Sequence, residues 1–219
     1  MLPVIAIVGR TGAGKTALLE RLIPALTARG YRVGTVKHHH GGVLDLDAPG
    51  KDTWRHAKAG AVVVALAGSE QTAVFRGSGS TLDEITHLLL GEVDVVLVEG
   101  FKGTEKPKIE VVRAAVSPEP LCGPEDRLLA LVSDVPLSRG VPVFGPEDAA
   151  GVAALVARYL EKDPEARVGR RVELLVDGRG VGLLPFVAQV FEAVLTGLLS
   201  TLKGVRRPRR VHVSLRLEE

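Results

Sequence analysis

The sequence predicts an α/β protein built on a mainly parallel sheet flanked by helices, and three observations carry this prediction. Short apolar, β-rich runs alternate with helical patterns, beginning with VIAIV, TALLERLIPALTARG and YRVGTVK. A glycine-rich turn, GRTGAGKT, separates the first strand from the first helix. The 219 residues, 46% hydrophobic and 25% charged, suffice for one sizeable core. We therefore expect βαβ units with right-handed crossovers.

The elements follow in order along the chain. The first helix has an apolar stripe at three- and four-residue spacing from Leu18 to Leu26, and Gly30 is a natural residue to end it. Further strands are predicted at residues 61–67, 71–76, 93–99, 108–113 and 128–134, and further helices at residues 52–59, 81–90 and 146–160.

A domain boundary is predicted within EKDPEARVGRR, where charge, proline and glycine replace the apolar periodicity. Residues 1–163 would form the main domain and residues 170–219 a small C-terminal β-α-β appendage. In the appendage, RVELLVDGRGVGLL favours strand and turn, Pro185 begins a helix, and RVHVSLRL alternates as a strand does. We expect this tail to dock on the main domain or on a second copy.

Composition excludes several classes of protein. A single cysteine, Cys122, cannot form an internal disulfide, and the start of the chain resembles no targeting leader, so a cytoplasmic location is expected. No unbroken run of 18 apolar residues predicts a membrane span. The net charge of +2 makes nucleic acid an improbable partner, although KGVRRPRR gathers basic residues near the end.

The turn GRTGAGKT, Gly9 to Thr16, matches the Walker A pattern and lies between a strand and a helix, as phosphate binding requires. Its glycines let backbone N–H groups converge on phosphate oxygens, and the helix N-terminus adds partial positive charge. Arg10, Thr11, Gly12, Ala13 and Gly14 would line the phosphates. Lys15 would reach the β- and γ-phosphates and Thr16 would ligate Mg²⁺, which predicts a P-loop NTPase fold.

A magnesium-bound phosphate also needs a carboxylate at the end of a neighbouring strand, and VDVVLVEGF supplies Glu99. Glu99 would position the metal or a water molecule, unless it is a helix-cap or loop carboxylate. Asp94 begins the same strand and is interpreted as a solvated residue at the opposite edge. Arg10 could act as an arginine finger, in cis or across a dimer, or simply face solvent.

The stretch VKHHHGGVLDLDAPGKDTWRHAKAGA follows the second strand, at the same sheet edge as the glycine-rich turn. Lys37 with His38, His39 and His40 could contact an anion or substrate, could ligate a metal, or could form a polar surface loop. One of Asp45, Asp47 and Asp52 could swing toward the metal as switch loops do. Alternatively each could cap a helix, and Asp52 fits an N-cap.

In order and spacing, GRTGAGKT, VGTVKHHH, LDAPGKDTWRHAKAGA and VVLVEGFKGTEKPKIEVVR resemble the motifs of the molybdopterin-guanine dinucleotide biosynthesis protein B family, over about residues 3 to 160. The resemblance implies a homodimeric, P-loop GTP-binding protein with weak Mg²⁺-dependent GTPase activity. It also implies an accessory role to the MobA-like guanylyltransferase that attaches GMP to molybdopterin. By matching position, the resemblance implies that the phosphates are bound by Gly12, Gly14, Lys15 and Thr16. The adjoining pocket would be lined by Lys37, His38, Asp47, Lys51 and Asp52, and the strand-end motif would consist of Glu99, Gly100, Phe101 and Lys102.

The residues alone do not determine which nucleotide base the protein prefers. No Asn-Lys-x-Asp is present, and Asp134 could either offer a carboxylate to guanine or cap a turn, so the preference for GTP over ATP rests on the resemblance. A basic pocket for the phosphate end of molybdopterin, or of its guanine dinucleotide form, is predicted from Lys37, Lys102, Lys106, Lys108 and Arg113. Two alternatives stay open at this point: a P-loop small-molecule kinase and a metal-insertion GTPase that uses the histidine run.

Overall fold

The computed structural model describes residues 2–39, 41, 49–162, 172, 174–176, 179–203, 211 and 213. Its strands are β1 (Val4–Val8), β2 (Val33–Lys37), β3 (Val63–Ala67), β4 (Thr72–Arg76), β5 (Val95–Glu99), β6 (Lys108–Val112), β7 (Leu128–Ser133), β8 (Val143–Phe144), β9 (Leu174–Val176) and β10 (Arg179–Val181). Its helices are α1 (Lys15–Thr27), α2 (Asp52–Lys58), α3 (Leu82–Leu88), α4 (Ala149–Lys162) and α5 (Pro185–Ser200).

Six strands form one parallel sheet in the order β2-β5-β1-β6-β7-β8. β1 lies inside the sheet and all five of its residues are buried, as expected of a continuous apolar run covered on both faces. One core packs α1 and α4 against the side chains of Ile5 and Ile7, and a second core on the other face includes Leu82 of α3. The predicted α/β fold is confirmed.

Because all six strands are parallel, their carboxyl ends meet at one edge of the sheet. The loops that follow β1, β2, β5, β6 and β7 leave from this edge. Ligands of open α/β sheets bind outside the carboxyl ends of the strands. The fold therefore brings the glycine-rich turn, Lys37, Glu99, Arg113 and Asp134 to the same side of the molecule.

The sequence prediction needs one correction and misses one strand. The runs at residues 61–67 and 71–76 are strands, but they pair antiparallel with each other as β3 and β4 and form a separate two-stranded sheet. The four residues between them suit a hairpin and are too few for a crossover to a parallel neighbour. β8 was not predicted, because two residues carry no readable alternation.

In the tail, the segment predicted as strand and turn is a hairpin of two short strands. β9 and β10 form an antiparallel hairpin, and α5 follows it with Pro185 in its first turn. The predicted strand RVHVSLRL and the predicted domain boundary, residues 163–170, lie outside the described residues, apart from Val211 and Val213. Among the described helices, none has both the length and the apolar character needed to cross a bilayer.

Candidate functional site

The turn between β1 and α1 lies tightly against β6. Gly9 has φ +144°, and a Cβ atom at this position would come closer than 3.0 Å to the Val111 carbonyl oxygen. Gly12 and Gly14 also have positive φ, +79° and +94°. Only glycine adopts these angles without strain, so the spacing of glycines in the sequence is a backbone requirement of this turn.

Lys15 folds back over the turn that precedes it. Its Nζ donates to the carbonyl oxygens of Gly9 at 2.9 Å and Arg10 at 3.0 Å. Gly14 occupies the N-cap position of α1, and no side chain caps the helix. The ammonium group and the first N–H groups of α1 therefore lie together at one end of a 13-residue helix, which gives a concentration of positive charge suited to an anion.

Glu99 ends β5 beside the first turn of α1. The Thr16 hydroxyl lies 3.0 Å from both carboxylate oxygens of Glu99 and donates to them. Lys37, the register partner of Glu99 on β2, places its Nζ 3.8 Å from Oε1. The structure thus brings together Thr16, Glu99 and Lys37, which the sequence assigned to three separate motifs.

The Thr16 and Glu99 oxygens are suitable ligands for Mg²⁺. Magnesium prefers hard oxygen donors and is usually held by one or two protein groups together with phosphate oxygens and water. The present hydrogen bonds between the hydroxyl and the carboxylate show that both groups can face the same point. These two residues would hold the ion, whose charge would neutralise phosphate oxygens.

Arg113, which follows β6, forms the other wall of the turn. Its Nε donates to the Ala13 carbonyl oxygen at 3.3 Å, and its guanidinium nitrogens would lie 3.5 Å from a Cβ placed on Gly14. Its Nη1 is 3.8 Å from the Asp134 Oδ2. Asp134 Oδ1 accepts a hydrogen bond from Ala114 N at 2.9 Å, so Asp134 caps the turn after β6.

The strand-end motif after Glu99 is strained. Gly100 has φ +95°, and Phe101 has φ +51°, which makes it the one non-glycine residue with positive φ in the described part of the chain. The Phe101 ring packs on His38 with a centroid separation of 4.3 Å. The motif thereby joins the loop after β2 to the loop after β5, a contact that the sequence alone did not indicate. Lys102 is exposed beside it.

Other predicted site residues outside the glycine-rich turn are not brought to it by described contacts, and the Arg10 side chain, within the turn, faces solvent. Asp52 is the first residue of α2 rather than its N-cap, a position held by Lys51, and its carboxylate lies 3.7 Å from Arg55 Nη1. His40, Asp45 and Asp47 lie outside the described residues, and within the described ranges no three His, Cys, Asp or Glu residues are grouped as metal ligands.

The predicted basic pocket loses two of its members. Lys108 is buried and pairs with Asp126 at 2.7 Å, and its hydrogen bond lowers the pKa of that carboxyl group. Lys106 pairs with Asp83 at 3.1 Å. Side chains alternate between the two faces of a strand, so Lys108 points to the opposite face of β6 from Arg113 and cannot share a pocket with it. Asp94 was interpreted as a solvated residue at the far edge of the sheet, and the structure pairs it there with Arg32 at 3.0 Å.

One residue that supports the site, Glu110, was missed from the sequence. Glu110 of β6 is buried, and its carboxylate accepts hydrogen bonds from the backbone N–H groups of Leu121 and Cys122, the latter at 3.0 Å. A carboxylate inside a strand is the signal that could have revealed it, since a buried charge needs specific partners.

Cys122 is buried, and this burial raises the pKa of its thiol to about 12.

The parallel sheet, the strand-turn-helix with its three positive-φ glycines, and the lysine and threonine that follow define a P-loop NTPase-like α/β protein. A family model described as molybdopterin guanine dinucleotide synthesis protein B matches residues 4–134. The chain belongs to this family, and the resemblance drawn from its motifs is confirmed.

Individual relatives agree with this assignment. An Escherichia coli (strain K12) protein described as molybdopterin-guanine dinucleotide biosynthesis adapter protein is 37% identical over 171 residues, which cover 74% of this chain and 95% of the relative. A Methanocaldococcus jannaschii relative is 24% identical and covers 97% of both chains, tail included. The crystal structure of Bacillus subtilis MobB superposes with a TM-score of 0.59 at 26% identity, over 71% of this chain and 97% of that one.

Proposed function

We propose that this protein binds GTP with Mg²⁺ at the P-loop and acts as an adapter in the biosynthesis of molybdopterin guanine dinucleotide. One observation carries the nucleotide site: Lys15, Thr16 and Glu99 converge on the N-terminus of α1 at the carboxyl edge of the sheet. The adapter role is supported by family membership and by the description of the E. coli relative. Among the described residues, no observation favours the kinase or metal-insertion alternatives.

Each residue has a defined task in this proposal. Lys15 would exchange the Gly9 and Arg10 carbonyl oxygens for phosphate oxygens, and the free N–H groups of α1 would complete the phosphate cradle. Thr16 and Glu99 would turn their oxygens from each other to Mg²⁺. Lys37, 70% exposed at its side chain, would be available to a second anion such as the phosphate of molybdopterin.

We expect any GTP hydrolysis to be slow. Rapid phosphoryl transfer needs a positioned water molecule and a cation at the transferring phosphoryl group, and an arginine finger contributes several orders of magnitude. Arg113 is held by Ala13, and Arg10 is exposed. An adapter that reports a bound nucleotide to a guanylyltransferase partner requires occupancy of the site more than turnover.

The test is the affinity of the purified protein for a fluorescent GTP analogue with and without Mg²⁺. Lys15→Ala should weaken binding at least tenfold under both conditions, because it removes the phosphate-facing ammonium group. Thr16→Val should weaken binding only when Mg²⁺ is present. Lys58→Ala is the matched control, because it also removes one lysine ammonium group, but one that packs over the Trp54 ring of α2 at 5.6 Å. Unchanged affinity in Lys15→Ala would refute the nucleotide site.

We further propose that the protein is a homodimer. Apolar side chains are exposed on the β3–β4 hairpin, with Val62 76% and Val74 58% exposed, and along one side of α5. Exposed apolar surface of this extent commonly marks an association site. Val74→Glu and, separately, Val194→Glu should each be compared with the wild type by light scattering. A wild-type mass of one chain at micromolar concentration would refute the dimer, and the variants would identify which surface forms it.

The location follows from the proposed role. A cytoplasmic adapter suits the single cysteine, which is free and buried. Fractionation of cells that produce the protein, with the guanylyltransferase followed in parallel, would check this placement. The tail, residues 170–219, is proposed to be a small appendage that docks on the main domain or on a second copy of the chain.

A further inference from the structure

The loop after β7 offers a carboxylate, Asp134, at the same edge of the sheet as the P-loop. β7 is two strands from β1, and both end at the same edge of the sheet. Asp134 follows the last residue of β7, and Arg113 connects it to the P-loop through the Ala13 carbonyl oxygen. A single guanidinium group therefore spans the space between the phosphate cradle and the Asp134 carboxylate.

The state of the carboxylate favours a ligand. Its Oδ1 is fixed by the Ala114 N–H at 2.9 Å, which sets the orientation of the whole group. Its Oδ2 lies 3.8 Å from Arg113 Nη1, too far for a hydrogen bond, so this oxygen keeps acceptor capacity. The Asp134 side chain is 35% exposed, which leaves it open to a ligand.

We infer that Asp134 is the residue that selects guanine over adenine at the nucleotide site, an inference that rests on the proposed function. Guanine presents two donors, N1–H and the N2 amino group, on its Watson–Crick edge, and a carboxylate accepts both. Adenine presents a lone pair at N1, which a carboxylate repels. The planar guanidinium of Arg113, packed beside Gly14, provides a face on which the purine ring stacks.

Asp134 and Arg113 would take the place of a guanine-recognition motif that the sequence lacks. The chain has no Asn-Lys-x-Asp, yet the structure places an arginine against the P-loop and an aspartate beside it. The two residues come from the ends of neighbouring strands, 21 positions apart in numbering, so no local motif could reveal them. A site that hydrogen-bonds a substrate donor rejects an analogue that lacks it, because the acceptor is left unpaired once the base covers it.

The experiment compares GTP, ATP and xanthosine triphosphate by competition against a fluorescent nucleotide, using the wild type, Asp134→Asn and the control Asp148→Asn. The control removes a charge from a carboxylate that caps α4 by accepting from Gly151 N at 2.9 Å. Asparagine keeps an oxygen for Ala114 N and is the same size, and thermal unfolding checks that the fold is retained. Its amide can donate to the xanthine O2 while its carbonyl accepts from N1–H.

We expect the wild type to prefer GTP over ATP at least tenfold, and Asp134→Asn to lose at least tenfold in GTP affinity while gaining affinity for xanthosine triphosphate. The control should resemble the wild type. A wild type without preference between GTP and ATP overturns the inference, as does an Asp134→Asn variant that loses GTP and ATP equally. In both cases an intact effect of Lys15→Ala keeps the proposed P-loop site, so the two ideas fail separately.

Discussion

Replacing Gly9 by alanine tests whether β6 dictates the shape of the P-loop. An added Cβ would come closer than 3.0 Å to the Val111 carbonyl oxygen, and 3.5 Å from the Val111 Cβ, while φ stays at +144°. Backbone strain at such an angle costs about 1–3 kcal/mol, and forcing atoms into a packed contact costs a similar ~1–3 kcal/mol. We expect Gly9→Ala to lower the free energy of unfolding by about 3 kcal/mol or more.

Gly30→Ala is the matched control, because Gly30 also has positive φ, +86°, but a Cβ there meets no atom within 4 Å. Both substitutions reduce the conformational entropy of the unfolded chain equally, by about 0.4–1 kcal/mol, so this contribution cancels in the comparison. The assay is urea unfolding followed by circular dichroism, together with nucleotide affinity. Equal destabilisation by the two variants would refute the reasoning, and so would unchanged nucleotide affinity in Gly9→Ala.

Three further predictions follow from buried or capping groups. Asp126→Asn leaves the Lys108 ammonium buried without its counter-charge and should cost about 3 kcal/mol at pH 7. Because the pKa of Asp126 is lowered in the folded protein, its contribution to the free energy of unfolding is present above its ordinary pKa of 3.8 and is lost as pH falls through the lowered value. A difference in unfolding free energy between the wild type and Asp126→Asn that persists in stronger acid would contradict this. Cys122, with its pKa raised to about 12, should react with a maleimide at pH 8 at least a hundredfold faster in urea than in the native protein. Thr81→Ala removes the reciprocal capping box with Glu84 and should lower stability by about 1 kcal/mol, which thermal unfolding would detect.

Continuous apolar strands and the glycine-rich turn could be predicted from the sequence because their signals are local. VIAIV predicted β1 with its observed bounds, and the sequence placed Glu99 at the end of a strand, where the structure has its carboxylate beside Thr16. The antiparallel partnership of β3 and β4 could not be predicted in the same way, because strand pairing depends on how far the connection can reach. The burial of Lys108 was missed because a charged side chain reads as exposed until its partner, Asp126, is located 18 positions later in the numbering.

β6 explains why so many of the site's supports lie outside the P-loop itself. In the plane of the sheet the Val111 carbonyl oxygen lies against Gly9, and on one face Arg113, beyond the strand end, donates to Ala13. On the other face, Lys108 and Glu110 anchor the segment that leads into β7 through Asp126 and the Leu121 and Cys122 amides. One strand thus fixes the phosphate loop directly and positions the neighbouring strand from which Asp134 emerges. Substitutions along β6 should therefore alter nucleotide affinity even at residues that never touch the nucleotide.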